Sequence, residues 1–91
     1  MVDDYKYRSG IMKAFADPTR LKVIEILREG EKCVCVLTEK LNMPQSTLSY
    51  HMKILQDAGI VTRTEIGKWS HYALSDEGRK NALEILTAIL Y

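Results

Sequence analysis

The chain has 91 residues, 46% of them hydrophobic and 27% charged, and a formal net charge of +1. That composition is that of a folded globule and excludes a disordered tract, and so small a charge excludes a uniformly basic nucleic-acid surface, so any such footprint must be local. No apolar run approaches the roughly 18 residues of a membrane span, and two cysteines this close together are no secreted disulfide framework.

The first helix is expected over residues 4–15, where Tyr7, Ile11 and Phe15 recur at helical spacing. Asp17 is a good N-cap for a second helix and Pro18 suits its first position, where a missing N–H costs nothing. Leu21, Ile24 and Leu27 would form its inner face and Gly30 would stop it. A short third helix over about 34–41 turns Val34, Leu37 and Leu41 inward, and Asn42-Met43-Pro44 breaks it. The fourth, over about 45–58, buries Leu48, Met52 and Leu55 and leaves Gln45, Ser46, Thr47, Ser49, Tyr50, Lys53 and Gln56 outside. Two alternating β-branched runs, 60–66 and 69–74, flank Gly67-Lys68, the signal for a type II′ hairpin. Ser75 caps a last helix with Asp76 and Glu77 in its first turn and an apolar stripe of Leu83, Leu86 and Leu90.

The fold class that follows is mostly α with a small β-hairpin, in the order α-α-α-α-β-β-α, as one domain over residues 1–91. A short helix, a proline-bearing turn and a longer helix with a polar outer face describe a helix-turn-helix. The hairpin is then a wing. The second helix of that motif enters the major groove with its N-terminal residues at base edges, and the positive end of its dipole favours phosphate. The candidate DNA contacts are Gln45, Ser46, Thr47, Ser49, Tyr50 and Lys53, with Arg63 and Lys68 on the wing. The alternative for each is a solvated helix face or turn. No nucleophile–base pair and no glycine-rich phosphate loop is visible, so the chain does not read as an enzyme.

The segments "FADPTRLKVIEIL", "CVCVLTEKLNMPQSTLSYHMKILQDAGIV" and "IGKWSHYAL" resemble the ArsR-type (arsenical repressor) family of metal-responsive winged-helix regulators, over roughly residues 10–75. The resemblance implies a homodimer that represses an operon by binding a palindromic, double-stranded operator, and that lets go when a thiophilic ion binds. It implies no required cofactor and supports the DNA-contacting roles given above. It also implies dimerisation through the first and last helices. Tyr5, Tyr7, Ile11 and Phe15 of the first helix, with Leu83, Leu86 and Leu90 of the last, leave apolar surface that a small domain cannot cover, and such surface marks an interface.

Cys33 and Cys35 are the only cysteines. Residues two apart point about 200° from each other in a regular helix, but the same way in an extended stretch. Chelation by this pair would therefore require a non-helical or distorted start to the third helix, and an ion would select that unwound conformer. Soft thiolates select As(III) or Sb(III), or Cd(II), Pb(II) or Zn(II). The family's arsenic site has a third cysteine three positions on, where Thr38 stands here, so As(III) would need water or a small thiol as third ligand. The family's zinc site on the last helix uses a histidine that this chain lacks there.

Two other readings stay open for the cysteines: a redox switch, and plain packing, since free cysteine is among the most buried residues. An intramolecular Cys33–Cys35 disulfide would close a small, strained ring, so intersubunit or mixed disulfides are the expected redox products. His51 is expected as a hydrogen-bonded inter-helix residue, His71 as structural or a phosphate contact, and Trp69 and Tyr72 as anchors of the hairpin. The compartment is expected to be the cytoplasm: the acidic start Met1-Val2-Asp3-Asp4-Tyr5 has no apolar leader, and cytosolic thiols stay reduced. A protein- or RNA-binding winged helix is the remaining alternative.

Overall fold

The computed structural model describes residues 4–91; the acidic start at Met1, Val2 and Asp3 lies outside them. Its elements are α1 (Tyr5–Phe15), α2 (Pro18–Leu27), β1 (Lys32–Cys33), α3 (Val34–Leu41), α4 (Gln45–Asp57), β2 (Val61–Ile66), β3 (Trp69–Leu74) and α5 (Asp76–Leu90). Local chemistry explains most of the boundaries. Asp17 is extended, and its carboxylate accepts the Thr19 and Arg20 amides at 2.9 and 3.1 Å, with Pro18 opening α2. At the end of α3, Asn42 is left-handed (φ 50°, ψ 54°). Its N–H and that of Met43 close back on the Glu39 and Thr38 carbonyls, which is the Schellman way of finishing a helix. Gly67 has φ 64° and Lys68 does not have a positive φ, as a type II′ hairpin requires. The Ser75 hydroxyl accepts the Gly78 amide at 3.0 Å and starts α5.

The sheet has three antiparallel strands in the order β1-β3-β2. The wing β2–β3 was expected; β1 was not. Its two residues pair Lys32 with Tyr72 and Cys33 with His71, so the start of α3 is tied to the wing. Alternation puts Val61, Arg63 and Glu65 on one face with their partners Leu74, Tyr72 and Ser70. That face packs on α4.

Leu37, Leu48, Met52, Leu55, Val23 and Ile60 are the largest fully buried side chains. They form one core, with Ile11, Ala14, Ala82 and Ile85 at its α1–α5 end. Three expectations need correction. Ile11 is 5% exposed and belongs to this core. Leu21 points outward, and α2 presents Arg20, Val23 and Leu27 to the interior instead. Trp69 is exposed near the hairpin turn, leaving Tyr72 as the buried anchor. In α5 the inward residues are Gly78, Ala82 and Ile85, and Leu83, Leu86 and Leu90 are exposed, as expected of surface the domain does not cover.

Candidate functional site

α4 lies on the core through Leu48, Met52 and Leu55 and turns its other face to solvent. Gln45, Ser46, Thr47, Ser49, Tyr50 and Lys53 are all exposed there. Pro44 is extended and offers no side-chain cap, no acidic residue occupies the first turn, and the first bond of the helix runs from the Leu48 N–H to the Pro44 carbonyl at 3.1 Å. The amides of Gln45, Ser46 and Thr47 therefore face outward without intrahelical partners, which is the arrangement that receives a phosphate.

Gln45, Ser49 and Lys53 line a groove of about 290 Å³ against the wing, closed on its far side by Arg63, Ser70 and Tyr72. Gln56 lines it too; it sits one turn beyond Lys53 on the polar face expected from the sequence but was not among the candidate DNA contacts. Ser46, Thr47 and Tyr50 stand on the open face of α4, and Lys68 sits at the hairpin turn, outside the groove.

The two cations in the groove already have partners. Lys53 Nζ lies 3.0 Å from Asp57 Oδ1. The Arg63 guanidinium reaches Glu65 Oε2 at 2.7 Å, and its Nε also donates to Ser70 Oγ at 3.1 Å. The Ser70 hydroxyl donates to the same carboxylate oxygen at 2.8 Å. That hydroxyl bond first, and then the Arg63 hydrogen bond and charge, hold the Glu65 carboxyl below the ordinary glutamate range.

The cysteines lie where the sheet meets the helix-turn-helix. Cys33 is an extended N-cap (φ −65°, ψ 146°) whose sulfur accepts the Cys35 amide at 3.1 Å; Cys35 is in the first turn of α3. Their Cα atoms are 5.2 Å apart and the sulfurs are joined as a disulfide. One expectation falls here: the disulfide forms within one chain, where intersubunit or mixed disulfides were expected, because the Cys33 side chain folds back over the helix start. The expectation of a non-helical start holds, since Cys33 is extended and stands just outside α3. Thr38, at the third position, donates its hydroxyl to the Cys35 carbonyl at 2.9 Å. His71, opposite Cys33, turns its Nδ1 toward Glu31 at 3.8 Å. Among the described residues no three histidine, cysteine, aspartate or glutamate side chains gather as a metal cage.

Behind α4, His51 faces inward as expected. Arg20 Nη1 lies 3.0 Å from its Nδ1, a partnership that a sequence reading treating arginine as surface could not find.

At the opposite end, Tyr5, Tyr7, Leu83, Leu86 and Leu90 are exposed on α1 and α5, and Ile89 and Tyr91, which were not singled out, join them. Phe15 is half-buried. With Met12, Ala82, Leu83 and Leu86 it lines an apolar hollow of about 310 Å³ between the two helices. Asn81 Nδ2 donates to the Tyr7 hydroxyl at 2.8 Å and ties α5 to α1.

A helix-turn-helix with a polar outer face, flanked by a three-stranded sheet whose β2–β3 hairpin is the wing, defines a winged helix-turn-helix. The sequence profile of the bacterial regulatory protein, arsR family, matches residues 17–63, and the chain belongs to that family of DNA-binding transcriptional regulators, which are not enzymes. It is 38% identical over 86 residues to the HTH-type transcriptional regulator MJ1325 of Methanocaldococcus jannaschii, covering 93% of this chain and 97% of that protein. It is 50% identical over 66 residues to the arsenical resistance operon repressor of Bacillus subtilis, covering 71% of this chain but 63% of the repressor's length. A crystal structure of an ArsR family transcriptional regulator superposes with a TM-score of 0.82 at 28% identity, covering 97% of this chain and 90% of that one.

Proposed function

We propose that this chain is a homodimeric repressor whose two α4 helices enter successive major grooves of a palindromic operator, and that a thiophilic ion at Cys33 and Cys35 releases it. DNA binding follows from the family. The particular contacts are proposed on geometry: Gln45, Ser46, Thr47, Ser49 and Tyr50 at the groove edge, Lys53, Arg63 and Lys68 toward phosphates. A cytoplasmic compartment fits a regulator that acts on operator DNA.

The effector reading is carried by one observation: the extended cap Cys33 and the first-turn Cys35 bring two sulfurs together on the rim of the helix-turn-helix. A disulfide offers no thiolate, so the ion binds the form in which a small thiol has reduced the Cys33–Cys35 bond to two thiols and is itself oxidised to its disulfide. That reduced donor set fits an ion that accepts two thiolates and completes its shell with water or a small thiol, and As(III) and Sb(III) are favoured among the soft ions. The bond from Thr38 to the Cys35 carbonyl leaves its hydroxyl's one proton committed, though its oxygen still has lone pairs. Cys33 is at once the cap of α3 and the β1 partner of His71 in the wing. An ion drawing the two sulfurs into its own geometry acts on both parts of the DNA-binding surface together. It needs only a different affinity for the two arrangements.

The test is operator binding by the wild type and by Cys33→Ser/Cys35→Ser, with and without As(III). The wild type should lose affinity by about 5–150-fold, the usual range of an allosteric coupling, and the double variant should not respond. A variant that releases DNA as readily as its parent removes the dithiol from the mechanism.

A second reading has its own support, since the sulfurs are bonded to each other: a dithiol–disulfide switch. Release by hydrogen peroxide without metal, reversed by dithiothreitol, would favour it; indifference to peroxide would exclude it.

A further inference from the structure

We propose that Arg20 and His51 form a joint that holds the recognition helix α4 at its angle to α1, and that the joint closes only while His51 Nδ1 carries a lone pair. The proposal rests on α4 being the DNA-contacting helix.

Arg20 is the one charged residue in the described core, 9% exposed. Burial of a guanidinium is costly unless each donor finds an acceptor. Here Nε donates to the Ala14 carbonyl at 2.8 Å and Nη2 to the Lys13 carbonyl at 3.1 Å. Both acceptors lie in the last turn of α1, at the negative end of that helix, and the Lys13 carbonyl also accepts the Ala16 N–H at 3.1 Å. Nη1 points the other way, to His51 Nδ1 in α4 at 3.0 Å. On the helix surface His51 is followed outward by Tyr50, whose ring meets the imidazole edge-on at 5.1 Å between centroids. A continuous set of contacts thus runs from the end of α1, the helix offered to a second subunit, through α2, to an aromatic ring on the DNA face.

The state of the ring decides whether that path is closed. A guanidinium only donates, so the contact with Nδ1 exists only if Nδ1 is unprotonated and the ring proton sits on Nε2. A proton on Nδ1 removes the acceptor and sets two cations 3.0 Å apart. The charged groups at His51 are the Arg20 guanidinium and the Asp17 carboxylate, from α2 and its cap; its own helix supplies the Tyr50 ring, and α1 contributes its carbonyl end through Arg20. Asp17 Oδ2 stands 3.8 Å from Nδ1, so an imidazolium turns toward the carboxylate and away from Arg20. The recognition helix then loses its tie to α1.

The sign of the effect separates this from simple electrostatics. An added positive charge near DNA strengthens binding to phosphate, whereas loss of the joint weakens binding to the specific operator. Operator affinity is measured for the wild-type chain, His51→Asn and His51→Leu at about pH 8 and at steps down to about pH 6. The asparagine oxygen stands near the place of Nδ1, accepts from Arg20 and does not titrate. At about pH 8, His51→Leu should bind about tenfold more weakly, the effect of one charge-assisted hydrogen bond, and His51→Asn should recover most of that loss. On acidification the wild type should weaken by a further factor of about ten beyond any change in His51→Asn.

If His51→Leu fails to fold, the pH profiles of the wild type and His51→Asn decide alone. A profile for His51→Asn parallel to the wild type, or full-strength binding by a folded His51→Leu, overturns the joint. Failure of the wild type to bind any operator overturns the DNA reading of α4 instead.

Discussion

Lys53 and Arg63 face the groove, yet Asp57 lies 3.0 Å from one and Glu65 lies 2.7 Å from the other. A phosphate must displace a carboxylate in each case. Exposed pairs of this kind contribute little stability in water, so exchange is feasible, but each carboxylate opposes the incoming anion. Glu65 stays ionised well into acid, because the Ser70 hydroxyl and Arg63 stabilise its charged form. Glu65→Gln should therefore tighten operator binding by about two- to fivefold and steepen its salt dependence, measured as the slope of log affinity against log salt. Weaker binding would mean that Glu65 instead holds Arg63 in its productive pose.

Asp17 illustrates a carboxylate with the opposite duty. The Arg20 amide first, with the Arg20 charge and the Thr19 amide, holds the Asp17 carboxyl below the ordinary aspartate range despite some desolvation. A lowered value in the fold means that the cap stabilises fully above the ordinary carboxylate range and that this is lost as pH falls through the lowered value. Asp17→Ala should lower the thermal midpoint by roughly 5 °C at neutral pH, and the gap should close in acid. Circular dichroism melts at fixed protein concentration test this; a gap independent of pH would separate the cap's effect from its charge.

Among the elements, α5 depends on one missing side chain. A Cβ on Gly78 would overlap the Gly59 carbonyl oxygen and stand 2.9 Å from its carbon and 3.2 Å from the Ile60 Cα. These are backbone atoms at the turn between α4 and β2 and cannot yield cheaply. Gly78→Ala should cost about 1–3 kcal/mol and tilt the start of α5, weakening any assembly built on that helix. Chemical denaturation and sedimentation read the two effects; an unaltered melting curve would show that the turn can move.

The helices, their caps and the hairpin were legible because each carries its own local signal: Asp17-Pro18, Asn42 before Pro44, Gly67-Lys68, Ser75. β1 was not, since two residues have no period to read and their partner β3 lies about 40 residues away. Arg20 was missed because its acceptors are two carbonyls and an imidazole brought in from other helices. The intramolecular pairing of Cys33 and Cys35 was misjudged for a related reason: the boundary between strand and helix falls between them, and the extended Cys33 is free to fold back on the helix start. What charge and spacing disclose is the polar face of α4. What they conceal is how its members are paired.

For the whole molecule, the proposed dimer must hold two such faces at the spacing of an operator. α1 and α5 leave Tyr5, Tyr7, Leu83, Leu86, Ile89 and Leu90 exposed at one end of the domain, and grouped apolar side chains of this kind mark an interaction surface. Twofold pairing through these helices would bury it and turn the two α4 helices toward half-sites about one helical turn apart. Leu83 is 65% exposed and Leu86 40%, so charging both disturbs the single chain little and a paired one severely. Leu83→Glu/Leu86→Glu should sediment as one 10.4 kDa chain with its far-ultraviolet spectrum intact. Its operator affinity should fall by about a hundredfold or more, because each half-site must then be found independently. A variant that remains a dimer and binds as before would place the twofold contact on another surface, and α1 with α5 would then need a different partner for their apolar face.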